Sequence, residues 1–283
     1  MILDRFGVDG RVAIVTGGGT GLGRAMALAL ARAGADVVVA ARTPGPLERV
    51  AGEIEALGRR ALALPTDVTD SAQVDRLVAR TVEALGAVDI LVNNAGIARG
   101  IEPSPRDATP SGPPLVWELD DRRWREALDV NLSSVFYACR AVARHMLARR
   151  RGKIINIAST AGLRAAPGFI TYCSAKGGVI MLTRSLATAW ARDNVQVNAI
   201  APGVFTLGED LPSPEVITGQ ARYVPMGRCG EAEEIGPLAV YLASPASDYV
   251  TGACFVADGG RLATFAPTGQ WLGPAAVAPG GQP

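Results

Sequence analysis

Short apolar runs alternate with segments of helical period along the first two-thirds of this chain. Residues 11–16 form an apolar run that predicts a strand, and residues 22–33, rich in Ala and Leu, predict a helix. Val37, Val38 and Val39 sit in a run over 36–41 that is too continuous for a strand with one wet face, so both faces should be covered. A helix over 46–57 and a strand over 60–64 follow. Val74, Leu77, Val78, Val82 and Leu85 then recur at helical spacing. Further strands are expected at 88–92, 153–158, 196–200 and 253–257, and helices over 121–150, 172–192 and 231–243. Such alternation predicts an α/β fold: a doubly wound, Rossmann-like parallel sheet flanked by helices, with right-handed crossovers. No linker interrupts it, so residues 1–262 read as a single domain.

Three stretches break the rhythm. Residues 97–117 carry Pro103, Pro105, Pro110, Pro113 and Pro114 and read as an inserted loop; residues 203–230 hold Pro212, Pro214 and several glycines. Residues 263–283 are Ala, Gly and Pro around Trp271 and read as a tail. Loops this long are uncommon unless they are functional or mobile, so the first two are expected to cover a substrate.

Composition narrows the chemistry. The 283 residues are 48% hydrophobic, ample for a large core, and the formal charge of +1 gives no reason to expect nucleic acid or an anionic membrane as partner. No run of about 18 apolar residues appears, and residues 1–10 lack the apolar stretch of a signal peptide, so a cytoplasmic protein is expected. Cys139, Cys173, Cys229 and Cys254 show no metal-ligand spacing and read as free thiols. His145 is the single histidine, which excludes a multi-histidine metal site; it lies in a basic stretch that reads as a helix end. No metal is expected. Lys153 and Lys176 are the only lysines among 28 basic residues.

Lys176 stands four residues after Tyr172, the spacing that puts both on one helix face, and Ser159 lies thirteen residues before the tyrosine. A neighbouring ammonium favours the phenolate and draws a phenol of ordinary pKa about 10 toward neutrality. Such a phenol suits carbonyl reduction or alcohol oxidation. Upstream, Thr16-Gly17-Gly18-Gly19-Thr20-Gly21-Leu22-Gly23 joins the first strand to the first helix. Its spacing is not GxGxxG, but it serves the same physics: bare backbone and a helix N-terminus for a pyrophosphate. A glycine turn can also serve helix–strand packing alone. The end of the second strand, where an acid meets a free ribose 2′-OH, carries Ala41 and then Arg42. A guanidinium without a carboxylate points to a 2′-phosphate, hence NADP(H) over NAD(H); the alternative is a solvated surface charge. Asn93-Asn94-Ala95-Gly96 follows the fourth strand, facing the crevice or forming an ordinary turn.

Taken together these motifs resemble the short-chain dehydrogenase/reductase family. Thr16–Gly23 matches its TGxxxGxG turn, Asp67-Val68 its adenine-side acid, Asn93–Gly96 its NNAG segment and Asn131 its helix asparagine. Ser159, Tyr172 and Lys176 match its catalytic Ser and YxxxK. Asn198–Gly203 matches the segment after the sixth strand, and Val250-Thr251-Gly252 with Asp258-Gly259-Gly260 its C-terminal end. The likeness spans residues 5–262 and is nearest in character to gluconate-type dehydrogenases and ketoreductases.

The resemblance implies that Tyr172 is the general acid of reduction and the base of oxidation. It implies that Lys176 lowers the tyrosine pKa and holds the nicotinamide ribose, that Ser159 binds the substrate oxygen, and that Asn131 anchors a relay water. Gly17, Thr20, Gly21, Leu22, Gly23, Arg42, Asp67, Val68, Asn94, Ala95, Gly96, Pro202, Gly203 and Val204 would join Tyr172 and Lys176 in holding the cofactor. The family pairs into homotetramers or homodimers through the helices at 121–150 and 172–192. Leu207 stands where the family has Thr, with Thr206 one position early. An isomerase, dehydratase or imine reductase on the same site, or a non-catalytic dinucleotide sensor, are the competing readings. Phe169 and Trp117 are candidates for an apolar substrate pocket.

Overall fold

In a computed structural model of the chain, residues 1–97, 119–165, 168–207 and 214–264 are described. The first βα unit is β1 (Val12–Thr16) and α1 (Gly21–Arg32), followed by β2 (Asp36–Ala41), α2 (Pro44–Ala56), β3 (Ala61–Pro65), α3 (Ser71–Leu85) and β4 (Ile90–Asn93). Next come α4 (Asp121–Leu128), α5 (Ser134–Ala148), β5 (Gly152–Ile157), α6 (Ile170–Trp190) and β6 (Val195–Pro202). The described chain closes with β7 (Phe205–Thr206), α7 (Pro214–Ala221), β8 (Gly230–Glu231), α8 (Gly236–Ala243) and β9 (Cys254–Ala257).

Seven strands form one parallel sheet in the order β3-β2-β1-β4-β5-β6-β9. This is the doubly wound sheet expected. Alternate residues of each strand serve opposite layers. Val15, Val37 and Val39 pack with Met26 and Leu30 of α1, Leu47 and Ile54 of α2 and Leu242 of α8. Ile14 and Val38 pack with Leu77 of α3, Val142 and Met146 of α5 and Val179 of α6. Crossovers leave β1 and β4 toward opposite edges, which opens a crevice beyond their C-terminal ends.

Local chemistry sets the element ends. Asp70 caps α3, its Oδ1 accepting from the Ala72 and Gln73 amides at 2.9 and 3.2 Å, and Gly86 closes that helix at φ +86°. Asn198 accepts from the Ala253 amide and donates to the Val250 carbonyl, so its amide stitches β6 to the turn before β9. The helix expected over 121–150 is interrupted by a π-helical turn, Asp129–Ser133. The helix expected from 231 begins as a 3₁₀ turn, Ala232–Ile235, and only then becomes α8, with Pro237 in its first turn where a missing N–H costs nothing. Within the stretch expected to be loop, β7 pairs with β8 and α7 follows β7. Among the described residues no helix is long and apolar enough to cross a membrane.

Asp89, 3% exposed, lies at the opposite end of the sheet from the crevice. It accepts from the Val12 amide at 3.0 Å, from Arg149 Nη2 at 2.6 Å and from Arg151 Nη2 at 2.8 Å. Burial works against its charge, but the amide and the two guanidiniums outweigh burial and hold its carboxyl below the ordinary value. A depressed carboxyl gives stability that is present above the unfolded value of about 3.9 and is lost as pH falls through the folded one. Asp89→Asn should therefore lower unfolding free energy at pH 7 by about 2–4 kcal/mol, short of the full cost of breaking a buried pair because the arginines are partly in water. Urea unfolding at pH 7 and below pH 4 checks this; a variant as acid-sensitive as wild type removes the assignment.

Candidate active site

The glycine turn and the segment after β4 are built as one unit. Thr16 Oγ1, at the end of β1, donates to the Val92 carbonyl at 3.4 Å and accepts from the Asn94 and Ala95 amides at 3.0 and 3.1 Å. Asn94 Nδ2 returns bonds to the Thr16 and Gly17 carbonyls at 3.1 and 3.2 Å. Gly17 has φ +64°, and a Cβ there would stand 2.8 Å from Asn94 Nδ2. Gly23 is required for packing: a Cβ would stand 2.0 Å from the Gly17 carbonyl oxygen. Thr20 caps α1 without a side-chain bond to its amides, so the first-turn N–H groups remain available to an anion.

Two neighbouring recesses share Gly17, Thr20, Ala95, Gly96 and Ile97 and form one elongated crevice. The first, about 430 Å³, is lined by Ala41, Arg42, Thr66, Asp67 and Val68. Asp67 Oδ1 accepts from the Thr69 amide at 3.0 Å and from its hydroxyl at 2.7 Å. Those bonds, with the nearby Arg42 charge, hold the carboxyl below its ordinary value against the effect of burial. The second recess, about 470 Å³, runs past Gly21, Leu22 and Asn94 to Asn131, Ser159, Tyr172 and Lys176, with Pro202, Gly203 and Val204 on the far wall.

Asn131 lies in the π-helical turn, a local expansion that often marks functional sites. It is 2% exposed, donates to the Ala127 carbonyl at 3.0 Å and accepts from the Ile97 amide at 3.0 Å. Ser159 leaves β5 in extended conformation and caps a short 3₁₀ turn by accepting from the Ala161 amide at 3.1 Å. α6 then brings Tyr172 into hydrogen-bond contact with Ser159. Burial raises the Tyr172 phenol above its ordinary value, the Ser159 bond pulls the other way, and Cys173 adds to the rise. The ammonium of Lys176 lies 5.8 Å from the Tyr172 ring centroid and donates to the Ile157 carbonyl at 2.8 Å. Burial brings that lysine down to about 8. The phenol thus differs from the sequence expectation: burial governs its direction.

Thirteen residues after the expected catalytic serine, and four before its lysine, Tyr172 meets both because β5, the 3₁₀ turn and α6 fold back on one another. Arg42, Asp67 and Val68 lie in the first recess, and every other expected cofactor residue except Gly23 lines the second. Thr206 Oγ1 donates to the Gly230 carbonyl at 3.3 Å, which ties it to β8, while the Leu207 side chain lies 3.5 Å from where a Gly21 Cβ would be. Leu207 therefore packs over the glycine turn. Phe205, Ile217, Gln220 and Cys229 also line the second recess and carry no motif; only the β7–β8 pairing and α7 bring them in. Phe169 lies half-buried just ahead of α6 and is not among the residues lining the recess; Trp117 and Trp271 fall outside the described residues.

The crevice suits a dinucleotide: it is long, its middle is bare backbone that side chains would block, and a free helix N-terminus faces it. Comparison with known proteins agrees. The family model for short chain dehydrogenases matches residues 11–209. The chain is 41% identical over 260 residues to a galactitol 2-dehydrogenase (L-tagatose-forming) of Cereibacter sphaeroides, covering 90% of this chain and 96% of that one. It is 39% identical to a gluconate 5-dehydrogenase of Gluconobacter oxydans, covering 91% and 96%. The crystal structure of an NADPH-dependent 3-quinuclidinone reductase from Rhodotorula rubra superposes with a TM-score of 0.83 at 32% identity, covering 93% and 96%. With its parallel sheet, its glycine turn and its Ser-Tyr-Lys constellation in one crevice, the chain belongs to the short-chain dehydrogenase family and is an NAD(P)-dependent oxidoreductase.

Proposed function

We propose that the protein transfers a hydride between NADP(H) and a carbonyl or secondary alcohol, with Tyr172 as general acid and base. The observation that carries this reading is the buried contact of the Tyr172 phenol with Ser159 at the inner end of a dinucleotide-sized crevice. When bound, the nicotinamide supplies or takes the hydride. Ser159 and Tyr172 hold the substrate oxygen between two hydroxyls, and the phenol gives its proton to that oxygen in reduction. Lys176, on the same helix face as Tyr172, would hold the nicotinamide ribose, and Asn131 would orient a relay water. Proximity of donor, carbonyl and acid carries the catalysis. A polyhydroxylated ketone or alcohol is the substrate class we assign, supported by the galactitol and gluconate dehydrogenases among the relatives.

NADP(H) is favoured because Ala41 offers no carboxylate to a ribose 2′-OH and exposed Arg42 lies on the wall of the recess that takes the adenosine end. The Rhodotorula rubra reductase uses NADPH by its own description. A cytoplasmic homodimer or homotetramer is part of the same reading, supported by exposed Phe136 on α5 and Met181 on α6 and by four free cysteines.

The test is turnover on gluconate, galactitol and simple ketones with each cofactor. We expect activity with NADP(H) exceeding that with NAD(H) roughly 10- to 150-fold, the worth of about 1.5–3 kcal/mol from a charge-assisted contact. Arg42→Ala should cut kcat/KM for NADPH by a similar factor and leave NADH nearly unchanged. Equal losses with both cofactors would show that Arg42 does not read the phosphate.

A further inference from the structure

α6 carries Tyr172 and Lys176 in its first two turns, and β5 leads into Ser159. The relative placement of these groups therefore depends on how α6 is seated against β5, both in rotation and along its axis. Near the site the contacts are between small, smooth surfaces. Ala175 is fully buried, and Gly162 lies so close to α6 that a Cβ would stand 2.6 Å from the Lys176 carbonyl carbon. Apolar contact is non-directional, so it resists separation more than it resists sliding.

Directional restraint comes from a polar chain beneath the site. Asn93, Asn156 and Thr183 are 3%, 0% and 1% exposed. Asn93 Nδ2 donates to Asn156 Oδ1 at 2.9 Å, Asn156 Nδ2 donates to Thr183 Oγ1 at 2.9 Å, and Thr183 donates to the Val179 carbonyl at 2.8 Å. The threonine has one proton and has committed it to Val179, so it must accept from Asn156. That fixes which way round the Asn156 amide lies. The chain runs from β4 through β5 into α6.

Its position matters for the chemistry. Thr183 is seven residues beyond Lys176 and eleven beyond Tyr172, each close to a whole number of helical turns at about 3.6 residues per turn, so all three share one stripe of α6. Asn156 immediately precedes Ile157, the carbonyl partner of Lys176, and stands three residues before Ser159. We propose that Asn156 and Thr183 are positioning residues, whose buried hydrogen bond holds α6 in the register against β5 that sets Tyr172 beside Ser159. Their catalytic consequence rests on the oxidoreductase reading above.

Thr183→Val and Thr183→Ser test it together. Valine keeps the branched shape and strands Asn156 Nδ2 without its acceptor; serine keeps the hydroxyl and loses a methyl. Both should lower Tm. In Thr183→Val, kcat should fall about 10- to 100-fold, as displacements of about 1 Å do, with KM for the cofactor nearly unchanged. Thr183→Ser should retain near-wild-type kcat despite its lower Tm. If kcat follows Tm in both variants, the residues are merely structural and the proposal fails. Hydrogen exchange reads the same bond without turnover: amides of residues 170–178 should exchange faster in Thr183→Val and not in Thr183→Ser. Equal protection in the two variants also overturns it. A wild-type protein that turns over none of the substrates, yet shows this exchange difference, would defeat the proposed substrate and cofactor reading and leave the positioning role standing.

Discussion

Tyr172→Phe should lower turnover by about 10²–10⁴-fold, the usual worth of a positioned general acid, while cofactor still binds. The substitution removes one oxygen and keeps the ring, so the packing of the first turn of α6 is preserved. The lost oxygen is the one bonded to Ser159. Without that hydroxyl the carbonyl oxygen would collect charge with no positioned proton donor beside it. Cofactor affinity, read by quenching of protein fluorescence, should stay close to wild type because most of the residues expected to hold the cofactor lie elsewhere along the crevice. A variant that keeps more than a tenth of the wild-type rate would show that another group delivers the proton.

Lys176→Ala should lose activity to a comparable degree and also bind cofactor roughly 10- to 150-fold more weakly, since a bond from a charged group is worth about 1.5–3 kcal/mol. The two effects separate it from the tyrosine. Its pH signature is separate too. Burial brings Lys176 down to about 8, so kcat/KM for the cofactor, which reports the free enzyme, should fall as pH rises through about 8. The Tyr172 phenol is raised and stays protonated in that window, so the limb belongs to the lysine. Stability moves the opposite way. A lysine depressed in the fold holds its proton more firmly when unfolded, at an ordinary value of about 10.4, so folding stability rises with pH between about 8 and 10.4. Lys176→Ala should abolish both trends. Retention of the activity limb in the variant would assign it to another group.

Binary pattern and spacing determined much of this protein. An apolar run covered on both faces, as at 36–41, can only be an inner strand, and a strand–glycine-turn–helix unit can place bare backbone beside an anion whatever surrounds it. The interval from Tyr172 to Lys176 sets both on one side of a helix, and the order of the motifs was enough to indicate the family. These are local properties, readable because they depend on near neighbours along the chain.

Tertiary structure decided the rest. Asn131 reaches the wall of the crevice only when a π-helical turn lets its side chain meet the Ile97 amide, thirty-four residues earlier. β7 and β8 are two residues each, too short for any periodicity, and form because Phe205 and Thr206 find Gly230 and Glu231 across α7. Through them Ile217, Gln220 and Cys229 become walls of the crevice. Asn156 and Thr183 look like ordinary polar residues in a strand and a helix until the fold buries them against each other. The direction of the Tyr172 shift belongs here as well. Spacing put an ammonium near the phenol, but burial sets the balance, because desolvation and hydrogen bonding depend on everything packed around a group and not on its neighbours in sequence.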